Sequence, residues 1–334
     1  MSRRVWLPAL VLLIVVALVA TACQQQATPA PKEEEKGAAQ EVEFTFYVVS
    51  HGGPADPFWG VVMRGMEDAA ATLPVKAIYS GPEKFSIDEL VNLLNSAIAA
   101  KPDGIAVTIT DPNALDEPLR RAIEQGIPVI AINVPDPRPA GERIPYLFYV
   151  GGDEYLGGQR AAERMLQERK PTRALCAIHE VGHVGLEARC KGFIDVMSEA
   201  GVPAEKLDIG TDPTQAVEVL KSYFAKNPDT DAVFTLGPLG ANPMIQYIKE
   251  NNLKGKILHG SFDLDEVTLG AIKDGITLFT IDQQQYLQGY MPIVWLYLYN
   301  KYQLVPATDI LTGPAIVDAS NVGAIEELIK AGYR

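Results

Sequence analysis

No basic stripe runs through this sequence. Acidic side chains outnumber basic ones, 42 to 29, for a formal net charge of −13. A chain without a positive footprint is not built to hold a nucleic acid. No G-x-G-x-x-G follows the first strand-like run, and neither a P-loop nor a G-x-S-x-G is present. The signatures of dinucleotide binding, phosphoryl transfer and serine hydrolysis are therefore missing, and no cofactor is expected. Aspartate and glutamate are plentiful, yet no pair of them stands out from an acidic surface. Cysteine is sparse, with three in 334 residues. The N-terminal apolar stretch, 5–19, is short of the ~20 residues that cross a membrane. It follows Arg3 and Arg4 and ends at Ala20-Thr21-Ala22-Cys23, so it reads as an export signal and not as part of the fold.

What is there begins with one turn. The apolar run 44–49 leads into His51-Gly52-Gly53-Pro54-Ala55-Asp56-Pro57-Phe58-Trp59, and a helix-like segment, 61–71, follows. This is the first strand-to-helix turn of a folded domain, where α/β proteins set their ligands. Aromatic faces such as Phe58 and Trp59 cover the C–H side of a flat ligand, and a carboxylate such as Asp56 accepts hydrogen bonds from its hydroxyls. The turn reads as half of a sugar-binding cleft. It reads equally as a helix opening, with Phe58 and Trp59 in the core and Asp56 as N-cap.

From residue 43 onward strands and helices alternate. Strand-like runs lie at 44–49, 75–79, 104–109, 129–133 and 146–150, with helices at 61–71, 87–100 and 114–125. The pattern then repeats, with strands at 174–178, 206–209, 232–236, 257–259 and 277–281. Helices of this second half are expected at 155–168, 185–200, 213–226, 242–251, 264–274 and 286–299. The alternation predicts an α/β protein of two similar lobes with parallel sheets, in keeping with the length. Clefts between such lobes take small ligands. Polar residues mark the strand ends: Asn133, Asp263, Asp282 and Gln283, with Arg189 in the helix after the 179 turn. The carboxyl ends of parallel strands share one edge, so these residues converge. Carboxylates, amides and a guanidinium suit a neutral polyhydroxylated ligand, whose hydroxyls both donate and accept.

His179-Glu180-Val181-Gly182-His183 spells H-E-x-x-H. The zinc motif works on a helix, where residues four apart share a face. Here an apolar strand run precedes it, Gly182 and Gly185 flank the second histidine, and no third ligand presents itself. A zinc hydrolase on His179 and His183 stays a minor alternative, and neither a metal nor catalysis is expected. In an exported protein Cys176 and Cys190 are expected to form a disulfide that pins a helix to the sheet, with two buried thiols as the alternative.

The small residues before Cys23 resemble the lipobox of bacterial lipoproteins. That resemblance implies removal of residues 1–22 and a lipid on Cys23; a plain signal peptide or an uncleaved anchor is the alternative. Residues 23–42 lack an apolar period and read as a flexible tether. Farther on, Ser50 with Asp56-Pro57-Phe58-Trp59, Ile127 to Asn133, Gly151-Gly152-Asp153 with Leu156-Gly157-Gly158, Arg189 to Phe193, Ser261-Phe262-Asp263 and Asp282-Gln283-Gln284 come in a telling order. In these motifs the chain resembles the ribose-binding-protein group of periplasmic sugar-binding proteins, which feed ABC transporters. The resemblance implies a type I periplasmic binding protein fold, two Rossmann-like lobes joined by three crossings. The lobes would be 43–151 plus 284–310 and 152–283 plus 311–334. It implies a monomer that closes by hinge motion on a monosaccharide or polyol. The membrane permease would recognise the closed shape, and the protein would sit outside the cytoplasmic membrane on its lipid.

Carried over residue by residue, Phe58 and Trp59 would sandwich the ring, and Asp56, Asn133, Arg189, Asp263 and Gln283 would bind hydroxyls. His51, Asp212 and the 237–240 loop would reshape the pocket. Ribose binders show Asp-Arg where this chain has Asn133-Val134, and an Asn where it has Gly237-Pro238, which counts against ribose itself. The same fold serves sensing receptors of chemotaxis, kinase or quorum pathways, and neighbouring genes would separate the two roles. Trp59→Ala and Asp263→Ala are expected to abolish binding and leave the fold intact.

Overall fold

The computed structural model describes residues 41–334; the leader, Cys23 and the tether up to residue 40 lie outside the described residues. The first half alternates β1 (Phe44–Val49), α1 (Pro57–Thr72), β2 (Val75–Ser80), α2 (Ile87–Ala99), β3 (Gly104–Val107), α3 (Pro112–Glu124), β4 (Val129–Ile132) and β5 (Tyr149–Gly152). The second half runs α4 (Glu154–Glu168), β6 (Ala174–Ile178), α5 (Val184–Glu199), β7 (Ala204–Asp208), α6 (Pro213–Lys226), β8 (Ala232–Thr235), α7 (Pro238–Glu250), β9 (Leu258–Phe262), α8 (Glu266–Lys273) and β10 (Phe279–Asp282). α9 (Gln285–Tyr302), β11 (Ile310–Gly313), β12 (Ala315–Asp318) and α10 (Val322–Lys330) complete the chain.

Two six-stranded sheets result, in the orders β11-β5-β4-β3-β1-β2 and β12-β10-β9-β8-β6-β7. Every pairing is parallel except that of β12 with β10. β3, β4, β6 and β8 are buried along their whole length, as strands covered by helices on both faces must be. In each sheet the strand order turns back at the first strand, at β1 and at β6. The turns after these two strands sit at the switch points where open α/β sheets bind ligands.

The chain leaves the first sheet after Gly152, returns to that lobe with α9, and leaves again between Gly313 and Ala315. The outer changeovers thus fall at 152–154 and 313–315, later than the boundaries at 151 and 310 read from the sequence. The reason is β11, which takes strand form only through its pairing with Val150, Gly151 and Gly152 of β5.

Two element starts also differ. α1 opens at Pro57 rather than at residue 61, because Pro57 fits the first helical position and the Asp56 carboxylate accepts from the Phe58 amide. α7 opens at Pro238, so 237–240 is the first turn of a helix and not a loop.

Two glycines permit close helix pairs. A Cβ on Gly158 of α4 would lie 1.9 Å from the Arg189 carbonyl of α5, and one on Gly289 of α9 would lie 1.9 Å from the Val62 carbonyl of α1. The first pair sets the depth of α5, which carries Arg189. A disulfide, Cys176–Cys190, ties the same helix to β6, with Cα atoms 5.6 Å apart.

Candidate functional site

One cavity lies between the carboxyl ends of the two sheets. His51, Asp56, Phe58, Trp59, Asn133, Arg189, Asp263 and Gln283 all line it; the strand-end Asp282 does not, being taken by the Gln284 amide and Arg334. Its volume is about 40 Å³, room for a few waters. The first turn both opens a helix and faces this cavity. Asp56 caps α1 through one oxygen, Phe58 and Trp59 are buried against Val62, and the same three side chains form a cavity wall. Asp212 is elsewhere: it caps α6 through the Gln215 amide and faces a neighbouring crevice.

Asn133 and Asp263 end β4 and β9 with φ of 60° and 63°. The left-handed region is one that Asn and Asp enter more readily than most residues. Each thereby turns its side chain out of the strand alternation. Asn133 Nδ2 donates to Gln288 Oε1 at 3.1 Å, and Gln288 Nε2 to Gln283 Oε1 at 2.9 Å. Gln283 Nε2 donates to Asp263 Oδ1 at 2.7 Å. One amide relay therefore links a carboxylate of the second lobe to the strand tip of the first.

Arg189 is largely committed to the protein. Its guanidinium pairs with Glu154, donates to the Leu236 carbonyl at 2.7 Å and lies 3.7 Å over the Phe262 ring. Asp263 Oδ2 stands 4.0 Å from it. Burial works against the Arg189 charge, and Glu154 and Asp263 outweigh it. Removing one partner of such a buried pair strands the other.

The turn after β6 supplies what the sequence reading missed. His179, Glu180 and His183 line the cavity opposite the first turn. The signal was available: β6 opens the second lobe as β1 opens the first, so its turn faces the ligand by the same rule. The zinc-like spelling drew attention to metal chemistry instead.

His183 is the N-cap of α5, and its Nδ1 accepts from the Gly185 and Leu186 amides at 3.1 and 3.2 Å. Its proton is therefore on Nε2, which lies 3.1 Å from His51 Nε2 and donates to it. His51 in turn points Nδ1 at Thr108 Oγ1, 3.1 Å away. This chain of bonds joins the lobes, and the Val184 amide adds another by donating to the Thr110 carbonyl at 3.1 Å.

His51, Glu180 and His183 hold ligand atoms within 4.8 Å of one another. A metal, however, needs the His183 Nε2 lone pair, and the two amides on Nδ1 leave that nitrogen protonated. The group fits a histidine–histidine hydrogen bond better than a metal. The H-E-x-x-H letters sit on a strand end and a turn, not on a helix.

Burial sets the charge states. It pushes His51 and His179 down to about 3 and His183 well below its ordinary value, Arg189 adding to the effect in each case. Burial raises Asp56 to about 6, Glu180 to about 8 and Asp263 to about 7.

Residues 46–302 match the family model for the periplasmic binding protein domain. Over 279 residues the chain is 31% identical to the xylose/arabinose-binding protein XylF of Sulfolobus acidocaldarius, spanning 80% of this chain and 69% of that protein. It resembles a carbohydrate transporter from Acidothermus cellulolyticus solved in complex with myo-inositol, at TM-score 0.80 and 32% identity, over 87% of this chain and 99% of that one. It also resembles a periplasmic sugar-binding protein of an ABC sugar transporter from Legionella pneumophila, at TM-score 0.76 and 33% identity, over 81% and 99%.

Proposed function

The chain belongs to the periplasmic binding protein family, and from that premise we propose that it is the solute receptor of an ABC importer for a monosaccharide or polyol. The carrying observation is the convergence of groups from both lobes on one cavity: an indole, a phenyl ring, carboxylates, amides and a guanidinium. Phe58 and Trp59 cover the C–H face of a ring. Asp56, Asn133, Asp263 and Gln283 exchange hydrogen bonds with its hydroxyls, and Arg189 orients Asp263. The lining residues are almost all buried, so the ligand enters while the lobes stand apart and they close around it about the three crossings. The sugar-binding names of the relatives and solved structures support the ligand class.

In this reading the protein binds its ligand without transforming it and acts as a monomer. A lipid on Cys23 holds it on the outer side of the cytoplasmic membrane, beside the permease. A thermal-shift screen over pentoses, hexoses, polyols and inositols tests the binding claim. A ligand at a hundred times its Kd stabilises the folded form by about 2.7 kcal/mol, which the melt resolves. A cooperative melt that no member of the panel shifts would overturn the reading.

A further inference from the structure

The cavity has carboxyl groups without matching cations. Asp56, Glu180 and Asp263 line it, and Asp265 stands close enough to Asp56 to raise it. Arg189 is the cationic side chain of the lining, and Glu154 and the Leu236 carbonyl already engage it. His51, His179 and His183 are neutral, and Lys84 of the neighbouring crevice is exposed to solvent.

Glu180 is the sharpest case. It is only 9% exposed, lines the cavity, and among the described residues no hydrogen bond acts on its carboxyl. Across from it Asp56 spends one oxygen on the Phe58 amide, which leaves the other for a ligand. His179 Nδ1 is buried and unpartnered among the described residues. The unclaimed carboxyl oxygens of Asp56 and Glu180 come from both lobes.

Hydroxyls satisfy the hydrogen bonding of such a set but not its charge. An ammonium group satisfies both, because it carries three donors, no acceptor and a positive charge. We propose that the preferred ligand is a polyol bearing a basic amine, an amino sugar or amino-cyclitol, with its ammonium seated between Asp56 and Glu180. This rests on the sugar-cleft reading above and narrows its ligand class.

The test uses matched pairs, each an amino sugar or amino-cyclitol with its neutral parent and its N-acetyl derivative. Calorimetry and thermal shift are run from pH 5 to 7 on the mature chain. At least one amine outbinds its parent by about tenfold, the margin of a charge-assisted over a neutral hydrogen bond. Its affinity rises across this range as Asp56 ionises and as the ammonium draws the proton off Glu180, and acetylation removes the advantage.

Glu180→Gln shrinks the preference toward one while neutral parents still bind. Asp56→Asn keeps the Oδ1 cap of α1 and shrinks the same ratio, while amine and neutral parent alike weaken through the hydroxyl contact of Asp56. Neutral parents that bind as well as the amines, or a preference untouched in both variants, overturn the amine assignment and leave the sugar receptor standing. A panel in which nothing binds overturns both.

Discussion

At the scale of single residues the site and the core are the same atoms. Trp59 is 2% exposed and packs on Phe58, His51 and Tyr79 while facing the cavity. Trp59→Ala therefore opens a hole in the core and costs about 3–5 kcal/mol of stability, read as a lower urea midpoint. A loss of binding in this variant would thus mix a lost contact with lost stability. Asp263→Asn, which keeps shape and volume, is the better probe. It is expected to weaken sugar binding about tenfold or more with the fold intact. A variant that binds like the parent protein would remove Asp263 from the contact set.

At the scale of elements, α5 is the part on which the site depends. It carries Arg189, is capped by His183, presses on α4 through Gly158 and is tied to β6 by the disulfide. The bridge closes a loop of sequence separation 14, for which chain entropy gives about 3 kcal/mol. Cys176→Ala with Cys190→Ala is expected to lose an amount of that order in a denaturant melt, and reduction of the parent protein to act in the same direction. Equal midpoints with and without reductant would show that the bridge does not form. α9 contributes differently. Its aliphatic Ile293 and Leu296 are buried over the first sheet, whereas Tyr290, Trp295 and Tyr297 are only half-buried against it and Tyr302 at its end is exposed.

At the scale of the molecule, closure couples to pH through two opposed sets of groups. Asp56, Glu180 and Asp263 have pKa values raised by burial, so the stability they allow is full below about 4 and is lost as pH rises through 6 to 8. His51, His179 and His183 have theirs lowered, so their contribution is full above 6.5 and is lost as pH falls toward 3. His259, buried between Thr235 and Thr277, adds to the acid side. Between about 4.5 and 6.5 the two slopes oppose each other. The melting temperature of the ligand-free protein is expected to be flat there, to fall on either side, and to fall less above 6.5 in Glu180→Gln. A melting temperature that climbs steadily to pH 8 would contradict these charge states. His183→Asn keeps an N-cap and removes the bond to His51. It is expected to weaken ligand binding by about 2- to 12-fold, the worth of one hydrogen bond, and to leave a larger radius of gyration in solution scattering. Unchanged affinity and radius would mean that the histidine pair does not hold the lobes together.

The sequence by itself determined the alternation of strands and helices, the two-lobed plan, and the residues of the cavity that stand at strand ends. Local pattern carries these, because apolar periodicity, turn residues and the shared edge of parallel strands are properties of neighbouring positions. The tertiary structure alone decided which groups meet across the lobes. That His183 donates to His51, that Arg189 is taken by Glu154, and that Glu180 faces the cavity unpartnered all depend on contacts between residues 35 to 132 positions apart or on burial by a remote lobe. The late start of the second lobe and the strand form of β11 have the same origin. They come from pairing partners distant in the chain, which no local periodicity encodes.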